Sequence, residues 1–443
     1  MTRPGKPIGG LWHAVGVQLS NDLEFRGLIY QTSDPELSPL LDAGEITGYI
    51  GFDPSADSLH AGNLLQLCLL RRLQLAGNRP IVIAGGGTGR IGDPGGKDIE
   101  RPLLTKEQLE ANLAGIRPQL ERFLDFDARA GARRALMVDN SDWLDELSLI
   151  DFLRDVGKHF TINQMVAKDS VRSRFERADQ GISYTEFAYM LIQAYDYLHL
   201  FDTYGCRLQM GGSDQWGNII TGVELIRRAR AETAYALTTP LVTKADGTKF
   251  GKSETGAVFL DAKKTSPYAF YQFFFRAEDA VVGNYLRMLT FLSHEEILEL
   301  DEATKDRPQQ RLAPRALARA VTALVHGERV MSQVEQAADT LYTEDIAALD
   351  ESTLLMIVED APRTTLAREA LLGDGLDIVA LLADSGLTPS RGAARTAVSQ
   401  GGAYVNNRRV APEGGRITAD DLVAGRYVLL RRGRRELHLL QFA

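Results

Sequence analysis

The sequence predicts an α/β protein built on a doubly wound sheet, followed by a helical stretch and a small α+β tail. Three observations predict it. Short apolar, strand-like runs alternate with helix-periodic segments through the first half of the chain. Those runs end in Gly-rich or acidic segments, where sheets of this kind bind ligands. After Gly375 the pattern changes to two short helices and then strands.

The elements follow in order. Residues 1–20 are Gly-rich and belong to an extension, 1–24. Residues 46–52 (ITGYIGF) form the first strand. Asp57 and Ser58 are N-cap choices for a helix over 60–76, whose stripe is Leu64, Leu67, Cys68 and Leu75 and whose stop is Gly77. Residues 80–84 (PIVIA) are a continuous apolar run, as expected of a buried parallel strand. Residues 135–138 and 207–210 are further strands, and 184–198 is a largely apolar helix. This sheet domain runs over 25–248. The region 265–345 is helical, with a capping box at Ser293 and Glu296, inside a domain drawn as 249–347. Residues 348–372 are irregular, contain Pro362 and read as a linker. The tail, 373–443, has two helices split near Pro389 and strands around 403–410 and 426–441.

Composition narrows the class. The chain has 443 residues, 44% hydrophobic and 25% charged, with net charge −9. A net negative chain is not a general nucleic-acid binder. Residues 372–443, however, carry ten Arg, no Lys and seven Asp or Glu, so this tail is +3 and the rest −12. A basic tail on an acidic body points to local contact with an anionic partner. Two cysteines, Cys68 and Cys206, with no Cys/His cluster, indicate neither a zinc site nor a disulfide framework and fit a reducing cytoplasm. No apolar run approaches 18 residues, so no membrane span is expected.

Several Gly-rich stretches compete as nucleotide motifs. Gly87 to Gly92 is a literal GxGxxG after a strand, but Asp93-Pro94-Gly95-Gly96 interrupts the helix that a dinucleotide site needs. Gly92 to Lys97 has the wrong spacing for a phosphate loop, with Asp98 in place of Ser or Thr, and Gly247 to Ser253 precedes a strand-like run. Two other stretches inform as a pair: His60-Ala61-Gly62-Asn63 and Lys249-Phe250-Gly251-Lys252-Ser253. They resemble the two ATP-handling signatures of class I aminoacyl-tRNA synthetases. Residues 51–60 (GFDPSADSLH), 91–94 (IGDP), 184–198 (YTEFAYMLIQAYDYL) and 211–218 (GGSDQWGN) narrow the resemblance to the bacterial tyrosyl branch, from about residue 25 to the C-terminus.

The resemblance implies a Rossmann-like catalytic domain that activates L-tyrosine with ATP and passes it to tRNA(Tyr). Activation needs cations and donors around the triphosphate more than a general base. His60 and Asn63 would serve at a helix N-terminus. Lys249 and Lys252 would come from a Gly-containing loop, and Lys97 and Arg101 from another. Relatives often carry His where Asn63 stands; the change keeps a donor. ATP is a substrate, with Mg2+ bound through its phosphates, and no protein-bound metal is expected. Gly51, Asp53, Gly212 and Asp214 would line the nucleotide pocket, and Ile50 stands where some relatives have a polar residue.

On the helix at 184–198, Tyr189, Gln193 and Asp196 share one polar stripe (i, i+4, i+7), which either neighbours or a ligand must satisfy. The resemblance implies that Asp196 and Tyr49 bind the phenol hydroxyl. Tyr189, Gln193 and Asp93 would hold the ammonium group, Gln215 the reacting carboxylate, and Asn140 would support them. The tail resembles the RNA-binding domain of a ribosomal small-subunit protein (S-four-like). In it Arg391 and Arg395 share a helix face, and Asn406, Asn407, Arg408 and Arg409 crowd a hairpin tip. A homodimer is implied. The rivals are an RNA-binding protein on an inactive synthetase scaffold and, within the family, tryptophan activation.

Overall fold

The four strands expected in the first half of the chain join two that were not expected, Gln31–Thr32 and Tyr235–Thr239, in one six-stranded sheet in the computed structural model, which describes residues 18–93, 104–166, 168, 172, 183–248, 250–253, 256–340, 344–358, 361–433 and 436–443. The six are β1 (Gln31–Thr32), β2 (Thr47–Phe52), β3 (Arg79–Ala84), β4 (Leu136–Asp139), β5 (Leu208–Gly212) and β6 (Tyr235–Thr239), in the order β1-β6-β5-β2-β3-β4. All pairings are parallel except that of the edge strand β1. The chain winds outward from β2 through β3 to β4, then returns to start β5 on the other side of β2. The crevice at the carboxyl ends of β2 and β5 is therefore the topological switch point, where such sheets take ligands. Gly48 lets β2 lie close to its neighbours: a Cβ there would sit 3.2 Å from both Leu208 and Leu73.

The helix after β2 begins later than the sequence suggested. A 3-10 turn, Ala61–Asn63, precedes helix Leu64–Leu75. Its N-cap is His60 rather than Asp57 or Ser58. The Ser58 hydroxyl donates to the Leu59 carbonyl instead, and Asp57 pairs with Lys264 at the surface. Helix Tyr184–Tyr204 starts at a Ser183–Glu186 capping box and runs past residue 198 to its stop at Gly205, whose φ is 64°.

Two compact units emerge, one comprising the chain through Lys264 with Phe274–Val325, the other Thr265–Phe273 with His326–Ala443. In the second unit, strands Arg408–Arg409, Ala403–Val405, Tyr427–Arg432, Glu436–Phe442 and Arg363–Leu366 pair in that order. The segment read as a linker is thus structural. It holds helix Glu351–Ile357, capped by Asp350, and strand Arg363–Leu366, which pairs in parallel with Leu439–Phe442. Pro362 misled because a proline just before an edge strand forfeits no ladder bond, and its carbonyl accepts from the Leu439 amide. Strand Tyr427–Arg432 is apolar on both faces. Val428 and Leu430 pack with Leu382, Ala394 and Val398, whereas Tyr427 and Leu429 pack with Ile346, Leu354 and Val358.

Candidate active site

The first signature locks itself. His60 is extended at φ −128°, its Nδ1 accepts from the Gly62 amide at 3.0 Å, and Asn63 Oδ1 accepts from the His60 amide at 3.0 Å. Because Nδ1 accepts, the neutral ring carries its proton on Nε2. The Asn63 amide nitrogen is likewise a donor. Both donors thus stand at the start of helix Leu64–Leu75, where its dipole favours anions.

The strand-like run just past the second signature pairs with residues 59–61 through backbone, and Val258 N in turn donates to Gly251 O of the signature at 3.1 Å. Ala61 N donates to Val258 O at 2.7 Å and Leu260 N to Leu59 O at 2.8 Å. Gly251, at φ 99°, lies so close that a Cβ would stand 2.7 Å from the Gly62 nitrogen. Lys252 belongs to a strand pair with Ala257. Lys249, Lys97 and Arg101 lie outside the described residues.

After β3 the chain turns through Gly85, Gly86 and Gly87. Side chains there would collide with the Asp53 and Asp139 carboxylates and with Leu144. The literal GxGxxG begins at the last of these glycines, and its Thr88–Arg90 is a 3-10 turn rather than a dinucleotide-site helix. Asp53 accepts from Thr88 Oγ1 at 3.1 Å and from the Tyr189 hydroxyl at 3.4 Å. Gly51 is exposed, with open space where a Cβ would be.

At the switch point Asp196 is 3% exposed. It accepts from Trp143 Nε1 at 2.8 Å and from Asn140 Nδ2 at 3.0 Å. Burial pushes its carboxyl up to about 7. The two hydrogen bonds pull it back, and the charges of Asp53 and Asp139 push it the same way as burial. Burial and the nearby Asp196 charge raise the Tyr49 phenol well above its ordinary value. The Tyr49 hydroxyl is buried without a hydrogen-bond partner, as is Oε1 of Gln209, which sits beside Tyr49 in the β2–β5 register. Buried polar atoms left unmatched are uncommon and mark places where a ligand completes the set.

Asn140 is fully buried and wires this pocket to the Gly-rich turn. Its Oδ1 accepts from the Gly87 amide at 2.8 Å, and its Nδ2 reaches Thr88 Oγ1 at 3.0 Å. Gln215 Nε2 donates to Asp93 Oδ2 at 2.6 Å, and Gln215 Oε1 accepts from Asn218 Nδ2 at 3.2 Å. Gly212 leaves room for Asp214, whose Oδ1 would stand 2.8 Å from a Cβ there. Gln193 is half-buried on the Asp196 helix. Sequence reasoning missed Trp143, Thr88 and Gln209. Only Gln209 left a signal, as an amide in an otherwise apolar strand.

In the second unit Arg391 and Arg395 are exposed on helix Arg391–Ser399, which buries Ala394 and Val398, and Arg408 and Arg409 are exposed on their strand. The hairpin asparagines are not surface groups. Asn406 and Asn407 are buried at φ 45° and 61°, the two positive angles of a tight hairpin turn. Asn406 Oδ1 accepts from Leu429 N, and Asn407 Oδ1 from Arg431 Nε.

Comparison with known proteins gives a consistent result. The family "tRNA synthetases class I (W and Y)" matches residues 41–343, and "Tyrosine--tRNA ligase SYY-like C-terminal domain" matches 354–440. The chain is 53% identical over 421 residues to the tyrosine–tRNA ligase of Roseiflexus castenholzii, covering 95% of this chain and 98% of that protein. It is 48% identical over 429 residues to that of Bacillus caldotenax, covering 96% and 100%. A crystal structure of a C-terminally truncated mitochondrial tyrosyl-tRNA synthetase from Aspergillus nidulans superposes with TM-score 0.66 at 32% identity, covering 73% of this chain and 94% of that one.

Proposed function

The chain belongs to the tyrosyl-tRNA synthetases, class I tyrosine–tRNA ligases, and from that premise we propose how its side chains divide the work. The enzyme joins L-tyrosine to ATP as tyrosyl-adenylate, releasing pyrophosphate, and transfers the tyrosyl group to the 3′ end of tRNA(Tyr).

The phenol hydroxyl of the substrate donates to Asp196 and accepts from Tyr49, with Gln209 beside it. The partnerless Tyr49 hydroxyl next to an already supported Asp196 is the observation that carries this reading. Phenylalanine would leave these groups unpaired, a penalty for which this family is the standing example. Tyr189, Gln193 and Asp93 hold the ammonium group and Gln215 the carboxylate; the Gln215–Asp93 bond supports their nearness.

Gly51, Asp53, Gly212 and Asp214 take the adenosine. A substrate carboxylate oxygen attacks the α-phosphorus, and the bond to the bridging oxygen of pyrophosphate breaks. His60, Asn63, Lys97, Arg101, Lys249 and Lys252 meet the charge that gathers on the phosphates, and Mg2+ enters with the ATP. Among the described residues no cluster of three or more His, Cys, Asp or Glu could hold a metal ion.

Arg391, Arg395, Arg408 and Arg409 contact the tRNA; their exposure supports this. Leu149, Ile150 and Leu153, exposed on helix Leu149–Asp155, support a homodimer. Two buried free thiols, Cys68 and Cys206, support a cytoplasmic setting. No helix among the described residues is long and apolar enough to cross a membrane.

The test is ATP–pyrophosphate exchange with tyrosine, phenylalanine and tryptophan side by side. Wild type should respond to tyrosine, and Asp196→Ala should lose on the order of 10²-fold in its preference for tyrosine over phenylalanine. Unchanged preference would remove Asp196 from the pocket.

A further inference from the structure

Between the lysines of the second signature stands Phe250, and it is buried, at 9% exposure. Its ring lies 4.8 Å from that of Tyr285 and 5.8 Å from that of Phe274, tilted by 55° and 51°. Tyr285 comes from helix Asp279–Leu289 and Phe274 from helix Pro267–Phe275. The Tyr285 hydroxyl donates to the Thr243 carbonyl at 2.8 Å, and the Phe250 amide donates to Val242 O at 3.1 Å. One aromatic socket therefore grips both the entry to the signature and its apolar centre. The next residue, Gly251, rests on Gly62 of the first signature.

The socket stands on a firm support. Arg26 is buried and donates to the carbonyls of Arg287, Thr290 and Leu292 at the end of helix Asp279–Leu289. Buried Arg72 also reaches Thr290 O, and Asp22 pairs with both guanidinium groups. Helix carbonyls that would otherwise lack partners are thereby satisfied and tied to the sheet unit.

We propose that Phe250 is a positioning residue for tyrosine activation. Seated against Tyr285 and Phe274, it sets where the backbone of the second signature stands above the His60–Asn63 turn, and so where Lys252 leaves the chain. The proposal rests on the reading that Lys252 serves the triphosphate. Lysine stems are long and flexible, so the root is what the fold can fix. An ångström of displacement at that root costs a reaction dependent on alignment on the order of 10²-fold.

The experiment is single-turnover formation of tyrosyl-adenylate by the full chain at saturating tyrosine and Mg-ATP, alongside the tyrosine Kd without ATP. Phe250→Ala should slow formation on the order of 10²-fold and leave the Kd unchanged. Phe250→Leu, which refills the socket, should recover most of the rate. In the double variant with Lys252→Ala, the loss should be smaller than the product of the single losses, because both act through one cation. If Phe250→Ala does not fold, Tyr285→Phe removes only the bond to Thr243 and should cost roughly 5-fold with the Kd unchanged. A wild-type rate in the folded Phe250 or Tyr285 variant, a parallel loss of tyrosine affinity, or fully multiplicative losses would overturn the proposal. A wild-type rate for Lys252→Ala with slow Phe250→Ala would instead sink the lysine reading, and this proposal with it.

Discussion

At the end of the cleft proposed for the phenol, Asp196 is almost wholly buried, and both its oxygens already accept from Trp143 and Asn140. At the end proposed for the phosphates, residues 258–260, just past the second signature, pair with 59–61 through backbone hydrogen bonds, Gly251 rests on Gly62, and one aromatic socket holds Phe250. The first end fixes side chains before substrate arrives, so a wrong ligand meets polar groups that cannot rearrange. The second fixes the His60 ring, the Asn63 amide and the Phe250 ring, and its proposed cations are lysines, whose charge lies at the end of a long stem. Recognition needs the former, because discrimination comes from unpaired groups in a rigid site. Charge that appears only in the transition state needs cations rooted in the right place.

The contrast predicts separable losses. Gly251→Ala puts a methyl against the Gly62 nitrogen and strains a residue at φ 99°. It should slow adenylate formation by about 10²- to 10³-fold while the tyrosine Kd stays put, measured by rapid quench and equilibrium dialysis. Equal damage to both quantities would mean that the two ends are one mechanical unit. Trp143→Phe keeps the ring but removes a donor to Asp196, and should weaken tyrosine binding roughly 10-fold with little change in the saturated rate. If the rate falls and the affinity does not, the division is wrong at the phenol end.

The smallest effect is on stability. The Asp196 carboxyl is raised to about 7 in the folded protein from an ordinary 3.8. Its neutral form is the favoured buried one, so this contribution is fully present below about 4 and is lost as pH rises through 7. Between pH 6 and 8 the unfolded chain has released the proton that the folded chain still holds in part. The substrate-free enzyme should therefore lose on the order of 1 kcal/mol across that window, and Asp196→Asn should be flatter. Urea titrations of both proteins at pH 6 and 8 would read the difference, and an equal change in unfolding free energy for wild type and Asp196→Asn would show that Asp196 is already ionised at pH 6.

The residues proposed for the phenol end were legible in the sequence because most of them lie in one helix stripe, Tyr189 to Asp196, with Tyr49 on the first strand. The sequence did not expose Trp143 or Thr88, since their roles depend on an approach between distant segments that no local period records. The phosphate end was visible as two motifs but not as a contact: nothing in residues 59–61 announces pairing with 258–260. Asp57 and Ser58 are good capping residues by type, yet the chain caps with His60, whose ring nitrogen reaches Gly62. The strand at Arg363–Leu366 escaped notice for the same reason as Trp143, because its partner lies at the other end of the tail.

That parallel strand limits where the protein can be cut. A fragment beginning at Gly373 would look complete by its own helices and hairpins. It would nevertheless lack the strand that covers the Glu436–Phe442 edge and the helix that shields Tyr427, Leu429 and Leu439. An open edge beside a bare apolar face is a template for self-association. Dissection of the RNA-binding end should therefore keep the chain from His326 onward together with residues 265–273, which belong to the same unit.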